Sequence, residues 1–181
     1  MRIISGKNKG QRLEAPKKLP VRPTTDMAKE ALFNILNNRY YFDEIRVLDL
    51  FAGTGNISYE FASRGCENII AVDADQGCVK FISETSSTLE FPITAIKKDA
   101  YEYLERHAPE VHLIFADPPY DLPLEAFARI VQIVFGKRLL LENGTLIIEH
   151  PKQTDLSGLM HFSEQRRYGG SVFSFFEQGE N

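Results

Sequence analysis

The chain has 181 residues, of which 43% are hydrophobic and 25% charged, the make-up of a soluble globular protein long enough for one full core with a modest appendage. No run approaches the roughly 18 apolar residues of a membrane span, and residues 1–6 carry no apolar stretch of signal-peptide length, so a cytoplasmic protein without a membrane partner is expected. The net charge of −4 is unevenly spread: residues 1–24 hold seven cations against Glu14, a balance of +6, which leaves −10 on the remainder.

The basic segment comes first. Arg2, Lys7, Lys9, Arg12, Lys17, Lys18 and Arg22 suit a phosphate-gripping edge, with a solubilising tail as the alternative. Residues 2–5, a Gly6–Gly10 turn and residues 11–15 read as a small hairpin. Pro16, Pro20 and Pro23 then keep the chain extended. Thr24 or Thr25 is placed to cap a helix, with Asp26 near its positive end, and Ala28, Ala31, Leu32, Ile35 and Leu36 follow at helical spacing up to Asn37-Asn38.

From Ile45 strands alternate with helices. Strands are predicted at 45–50, 68–72, 93–97, 111–116 and 145–149, with helices at 56–64, 76–86, 100–107 and 124–135. Such alternation implies a parallel sheet covered on both faces. The run 161–168, Gly169-Gly170 and 171–177 predicts an antiparallel hairpin closing the sheet. Phe173, Phe175 and Phe176 in its last strand are expected in the core. Arg166, Arg167 and Tyr168 either extend the basic surface or form a solvated pair.

Strand one runs into Asp49-Leu50-Phe51-Ala52-Gly53-Thr54-Gly55-Asn56. Gly53 and Gly55 let the backbone turn tightly against a ligand. Ser58 stands where a dinucleotide fingerprint needs its third glycine, and no lysine follows to make a phosphate cradle. Asp49 is ill suited to a pyrophosphate and well suited to an ammonium group, and S-adenosylmethionine carries one without any phosphate. Strand two ends at Asp73, positioned to accept ribose hydroxyls, and Asp99-Ala100 after strand three can reach an adenine. Asp49, Phe51, Gly53, Gly55, Asp73, Asp99 and Ala100 are thus the cofactor candidates. The alternative for Asp73 and Asp99 is that they cap the helices that follow.

After strand four comes Asp117-Pro118-Pro119-Tyr120. An amino group on an aromatic base is a poor nucleophile because its lone pair is delocalised. The Asp117 carboxylate and the Pro118 carbonyl can each accept one of its N–H bonds and aim the lone pair at a methyl carbon. Pro118 and Pro119 stiffen the turn, and Tyr120 offers a face for a base swung out of its stack. The bland alternative is a proline-rich turn.

With these residues in place the chain resembles the RsmD-like family of 16S ribosomal RNA guanine-N2 methyltransferases. The likeness runs from Arg2-Ile3-Ile4-Ser5-Gly6 with Gly10, through Arg22-Pro23-Thr24 and Glu30-Ala31-Leu32-Phe33-Asn34, to Leu48–Gly55 and Asp117–Tyr120. The tetrapeptide alone is shared with DNA adenine-N6 enzymes and, in its Asn form, with protein-glutamine methyltransferases; the basic arm and the Arg-Pro-Thr helix entry single out this family. Met27-Ala28 depart from it, standing where many relatives carry an arginine and an apolar residue. The resemblance implies a Rossmann-like class I S-adenosylmethionine-dependent methyltransferase fold, a mostly parallel seven-stranded sheet with an antiparallel C-terminal hairpin and a small N-terminal hairpin and helix extension. It implies guanine N2 of small-subunit rRNA, or of a 30S-type particle, as acceptor. Catalysis would fall to Asp117, Pro118, Pro119 and Tyr120, and RNA contact to Arg2, Lys7, Lys9, Arg12, Arg22 and Thr24. Residues 1–40 would form the RNA-contacting arm and residues 41–181 the methyltransferase domain. A DNA adenine-N6 methyltransferase and a non-catalytic RNA-binding assembly factor are the competing readings; 181 residues leave no room for a sizeable DNA-reading domain.

Four histidines (His107, His112, His150, His161) lack ligand-like spacing, and no metal is expected. Cys66 and Cys78, too far apart for a CxxC motif, are expected as packed or exposed thiols in a reduced compartment.

Overall fold

A computed structural model describes residues 1–179. The Thr25 hydroxyl accepts the Ala28 N–H at 3.2 Å and so starts α1 (Asp26–Asn37), whose Leu32, Phe33 and Leu36 are fully buried. Thr25, rather than Thr24, is the cap. Strands and helices then alternate: β1 (Arg46–Leu50), α2 (Asn56–Ser63), β2 (Asn68–Asp73), α3 (Gln76–Leu89), β3 (Ile93–Lys97), α4 (Ala100–Arg106), β4 (Val111–Ala116), α5 (Leu124–Gly136) and β5 (Leu140–Pro151). The chain ends in the hairpin β6 (Phe162–Tyr168) and β7 (Ser171–Glu177).

The seven strands lie in the order β3-β2-β1-β4-β5-β7-β6. β3 through β5 are parallel, and β7 pairs antiparallel with both β5 and β6. The hairpin therefore adds to the sheet with its second strand innermost. β5 is longer than the predicted 145–149 because it pairs with β4 from Leu140, shifts register before Thr145, and is held by β7 as far as Pro151.

Two apolar clusters fill the two faces. On one, Leu32, Phe33 and Leu36 of α1 pack with Phe42, Phe61, Phe115, Phe173 and Phe175. On the other, Phe127, Ile130 and Val131 of α5 pack with Leu48, Leu50, Ile114, Leu146, Ile148 and Phe176. Burial of side chains this size contributes about 1.5–3 kcal/mol each, so the sheet between the clusters is a rigid platform.

The N-terminal hairpin is reduced to one antiparallel bridge, Arg2 to Arg12, with the Ile3 N–H donating to the Gln11 carbonyl and the Gly10 N–H to that of Ile3. The Ile4 and Ser5 N–H groups donate instead to the Glu60 carboxylate of α2, both at 3.0 Å. Glu60 is fully buried, as is Lys29 of α1, whose ammonium lies 3.4 Å from it and also donates to Asn56 Oδ1 at 2.8 Å. Arg64 closes the group at 2.9 Å. Gly6 has φ +87°, and a Cβ there would fall 1.9 Å from the Ser63 carbonyl oxygen, so only glycine lets the arm lie this close to α2.

Candidate active site

In the strand order, β1 and β4 are neighbours, and the connection after β1 runs toward β2 while that after β4 runs the other way toward β5. Ligands of doubly wound sheets sit in the crevice this creates. A cavity of about 750 Å³ opens there.

Its first wall is the loop after β1. Phe51 has φ 54°, Gly53 57° and Gly55 89°, three left-handed residues in five. Left-handed backbone is strained at a phenylalanine, and strain of this kind persists where surrounding contacts over-determine it. Here the Phe51 ring packs edge-on to Tyr101 and the Gly53 N–H donates to Asp73 Oδ2 at 2.8 Å. Asp73 Oδ1 accepts the Asp75 N–H at 2.9 Å, which ties the glycine loop to the end of β2. Asp99 caps α4 through the Glu102 N–H at 3.0 Å, and Ala100 lines the cavity beside it. Phe51, Gly53, Asp73, Asp99 and Ala100 thus share one wall. Gly55 lies behind that wall at the start of α2, where a Cβ would meet the Tyr59 ring at 2.7 Å.

Asp49 is 1% exposed and accepts the Ser58 hydroxyl at 2.6 Å. Burial pushes its carboxyl up to about 7, against the pull of Ser58. Among the charged side chains lining the crevice, six are carboxylates (Asp49, Asp73, Asp75, Asp99, Asp117 and Glu149) and one is the Arg22 guanidinium. Such a lining repels a pyrophosphate and fits a compact cation.

The opposite wall is the turn after β4. The Asp117 N–H donates to the Leu50 carbonyl at 3.3 Å, which holds the turn beside the glycine loop, and Asp117, Pro118, Pro119 and Tyr120 all line the cavity. Burial pushes the Asp117 carboxyl well above the usual range, helped by the charges of Glu149 and Asp49 and opposed by Arg22. The Tyr120 hydroxyl donates to the Gly170 carbonyl at 2.8 Å. Its ring face carries the Arg22 guanidinium, 3.6 Å from the ring centre, so the surface expected to receive a base is already covered by a cation.

Arg22 and Thr24, predicted as RNA contacts, both line the crevice. Thr24 is buried and donates its hydroxyl to Glu149 Oε2 at 2.8 Å, which removes it from any surface RNA contact. Arg2, Lys7, Lys9 and Arg12 are exposed on the arm, Arg2 paired with Asp26 at 3.2 Å. Glu149 was missed in the sequence; it closes the apolar run Leu146-Ile147-Ile148, but its strand continues through His150 to Pro151 and the break is weak. Its carboxyl is also raised by burial, with Thr24 and Ser171 opposing.

The strand order with β7 slotted antiparallel beside β5, and the glycine loop at the switch point, define a class I S-adenosylmethionine-dependent methyltransferase fold. A family model described as "Conserved hypothetical protein 95" matches residues 1–177. The chain belongs to that family, which is the RsmD-like family anticipated from its motifs. It is similar to the Bacillus subtilis protein named "Putative rRNA methyltransferase YlbH", 37% identical over 86% of this chain and 85% of that one. It is 27% identical to the Haemophilus influenzae "Ribosomal RNA small subunit methyltransferase D", over 86% and 81% of the two chains. The solved Thermus thermophilus hypothetical protein TTHA0928 superposes with a TM-score of 0.84 at 27% identity, covering 98% of this chain and 99% of that chain.

Proposed function

We propose that this protein transfers a methyl group from S-adenosylmethionine to the exocyclic N2 of a guanine in small-subunit ribosomal RNA, acting in the cytoplasm on the RNA or on a 30S-type particle. The observation that carries the reading is a single crevice whose acid-lined glycine loop faces the Asp117–Tyr120 turn. The names of the relatives add the RNA and the small subunit.

The carboxylate-rich wall fits the cofactor. Asp49 meets the ammonium, Asp73 the ribose hydroxyls and Asp99 with Ala100 the adenine. S-adenosylmethionine, when bound, supplies an electrophilic methyl group on a sulfonium. The remaining work belongs to the chain's own groups. Asp117 Oδ and the Pro118 carbonyl accept the two N–H bonds of the target amine and turn its lone pair toward the methyl. Two consecutive prolines keep those acceptors from reorganising. The raised proton affinity of Asp117 suits it to hold the proton that the amine sheds. The target base displaces Arg22 from the Tyr120 face, which frees that guanidinium for a phosphate. Residues 1–40 supply the exposed cations that hold the RNA, and residues 41–181 supply the chemistry.

Transfer of tritium from labelled cofactor to purified small-subunit RNA or 30S particles, with duplex DNA in parallel, tests this. Label in N2-methylguanine of the RNA is the expected product. Label in DNA adenine, or none in either nucleic acid, overturns the reading.

A further inference from the structure

Asp117 and Glu149 follow immediately after residues that pair across two neighbouring parallel strands, Ala116 of β4 with Ile148 of β5. Adjacent strands lie about 4.8 Å apart, so the two carboxylates enter the crevice side by side. Both line the same cavity, and Glu149 is near enough for its charge to act on the Asp117 proton. Glu149 is 4% exposed, and its Oε2 is held by the Thr24 hydroxyl at 2.8 Å. A buried carboxylate that merely fastened the arm would be a costly way to hold one threonine, because desolvating the charge opposes folding.

A side-by-side pair of acceptors has a chemical complement. The Watson–Crick edge of guanine presents the N2 amino group and N1–H as adjacent donors. Adenine presents its N6 amino group beside N1, a lone pair. With the amino group seated at Asp117, N1 falls toward Glu149. There guanine gives a charge-assisted hydrogen bond, whereas adenine sets a lone pair against a carboxylate. We infer that Glu149 is a specificity-determining residue, which accepts guanine N1–H while Asp117 accepts the N2 amine, and that Thr24 aims it. This rests on the guanine-N2 reading above. Burial raises the Glu149 carboxyl, and the Thr24 and Ser171 hydroxyls with the Arg22 guanidinium oppose that rise by favouring its charged, acceptor form.

The test uses small subunits reconstituted from RNA carrying either guanine or 2-aminopurine at the methylated position. That position is first located by mass mapping of wild-type product; absence of any N2-methylguanine there would condemn the function proposed above, not the role of Glu149. 2-Aminopurine keeps the amino group, replaces N1–H by a lone pair and lacks O6, so the change of preference between wild type and Glu149→Gln isolates the N1 contact. Wild type is expected to favour guanine in kcat/KM by about 100-fold or more, the discrimination typical of a site built to bond a missing donor. Glu149→Gln offers N1 an amide N–H, so that preference should shrink at least tenfold, through loss on guanine and gain on 2-aminopurine, with the Kd for S-adenosylmethionine unchanged. A preference that is unaltered in Glu149→Gln, an equal loss on both substrates, or a wild type indifferent to the replacement overturns the inference. Should Glu149→Gln fail to fold, Thr24→Val removes the hydroxyl that aims the carboxylate and should lower the same preference several-fold; an unchanged ratio there is equally fatal.

Discussion

On the proposed reading the crevice has a cofactor end and an acceptor end, and the two are built on opposite electrostatic terms. At the cofactor end the carboxylates are already satisfied by backbone: Asp73 takes N–H groups of Gly53 and Asp75, and Asp99 that of Glu102. At the acceptor end Asp117 and Glu149 lie side by side with raised proton affinity, and Arg22 lies on the ring of Tyr120. One end is organised before any ligand arrives. The other holds charges that a substrate with adjacent N–H donors would relieve. Asp49 stands at the join, since its charge raises Asp117 while its own carboxyl is pushed up to about 7. On that reading, the cofactor seat is set by backbone geometry and the acceptor seat by charges left to be answered by the ligand.

If the acceptor end is where charge meets the reacting amine, Asp117→Ala should lower kcat by about 100- to 1,000-fold, the cost of losing one preorganised polar partner. Calorimetry should find cofactor affinity within a few-fold of wild type. Equal damage to both quantities would mean that the two ends are one unit.

Asp49 offers a test in the pH dependence of stability. Its folded value near 7 lies above its ordinary 3.8, so the native state binds the proton more tightly than the unfolded chain. Its contribution is most favourable below about 3.8, declines as pH rises toward 7, and is flat above. The isosteric Asp49→Asn, which can still accept the Ser58 hydroxyl, should gain on wild type by on the order of 3 kcal/mol between pH 4 and pH 8 in urea titrations. A difference independent of pH would show that the site is not desolvated.

At the cofactor end, Asp73→Ala removes the charged partner of a ribose hydroxyl, worth about 1.5–3 kcal/mol, and should weaken cofactor binding roughly 10- to 100-fold. Its signature is a raised KM for S-adenosylmethionine that saturating cofactor largely rescues, which no acceptor-end variant should share. The smallest effect belongs outside the crevice. Lys7→Ala with Lys9→Ala should flatten the dependence of log RNA affinity on log salt by about 1.4, if each lysine meets one phosphate of a single strand. An unchanged slope would move the RNA track elsewhere.

That the glycine loop, Asp49, Asp73 and Asp99 gather at one end of the crevice was legible in the sequence, because local signals coincide there. Asp49 and Asp73 sit where apolar strand runs break into acid, and the glycines mark the turn between strand and helix. Asp99 was legible twice over, as a ligand candidate and as the cap it is in the structure. The acceptor end was legible only as a tetrapeptide. Glu149 sits before His150-Pro151 in a strand that continues beyond it, so the break that flags Asp117 is blurred. The Thr24–Glu149 contact joins residues 125 apart, and no local pattern records it. The Arg22–Tyr120 stack likewise depends on where three prolines lead the arm. The hairpin shortened to a single bridge for the same kind of reason, because Glu60 competes for the N–H groups that a longer ladder would have used.

That competition shapes how the arm can be studied. Glu60 and Lys29 sit in the interior with the first residues of the chain supplying several of their partners. Deleting the arm strips backbone donors from a sealed carboxylate, and each buried partner left unanswered costs about 1–3 kcal/mol or more. A truncated protein that failed to bind RNA would thus have lost its architecture along with its lysines. Point changes at the exposed ammonium groups separate the two.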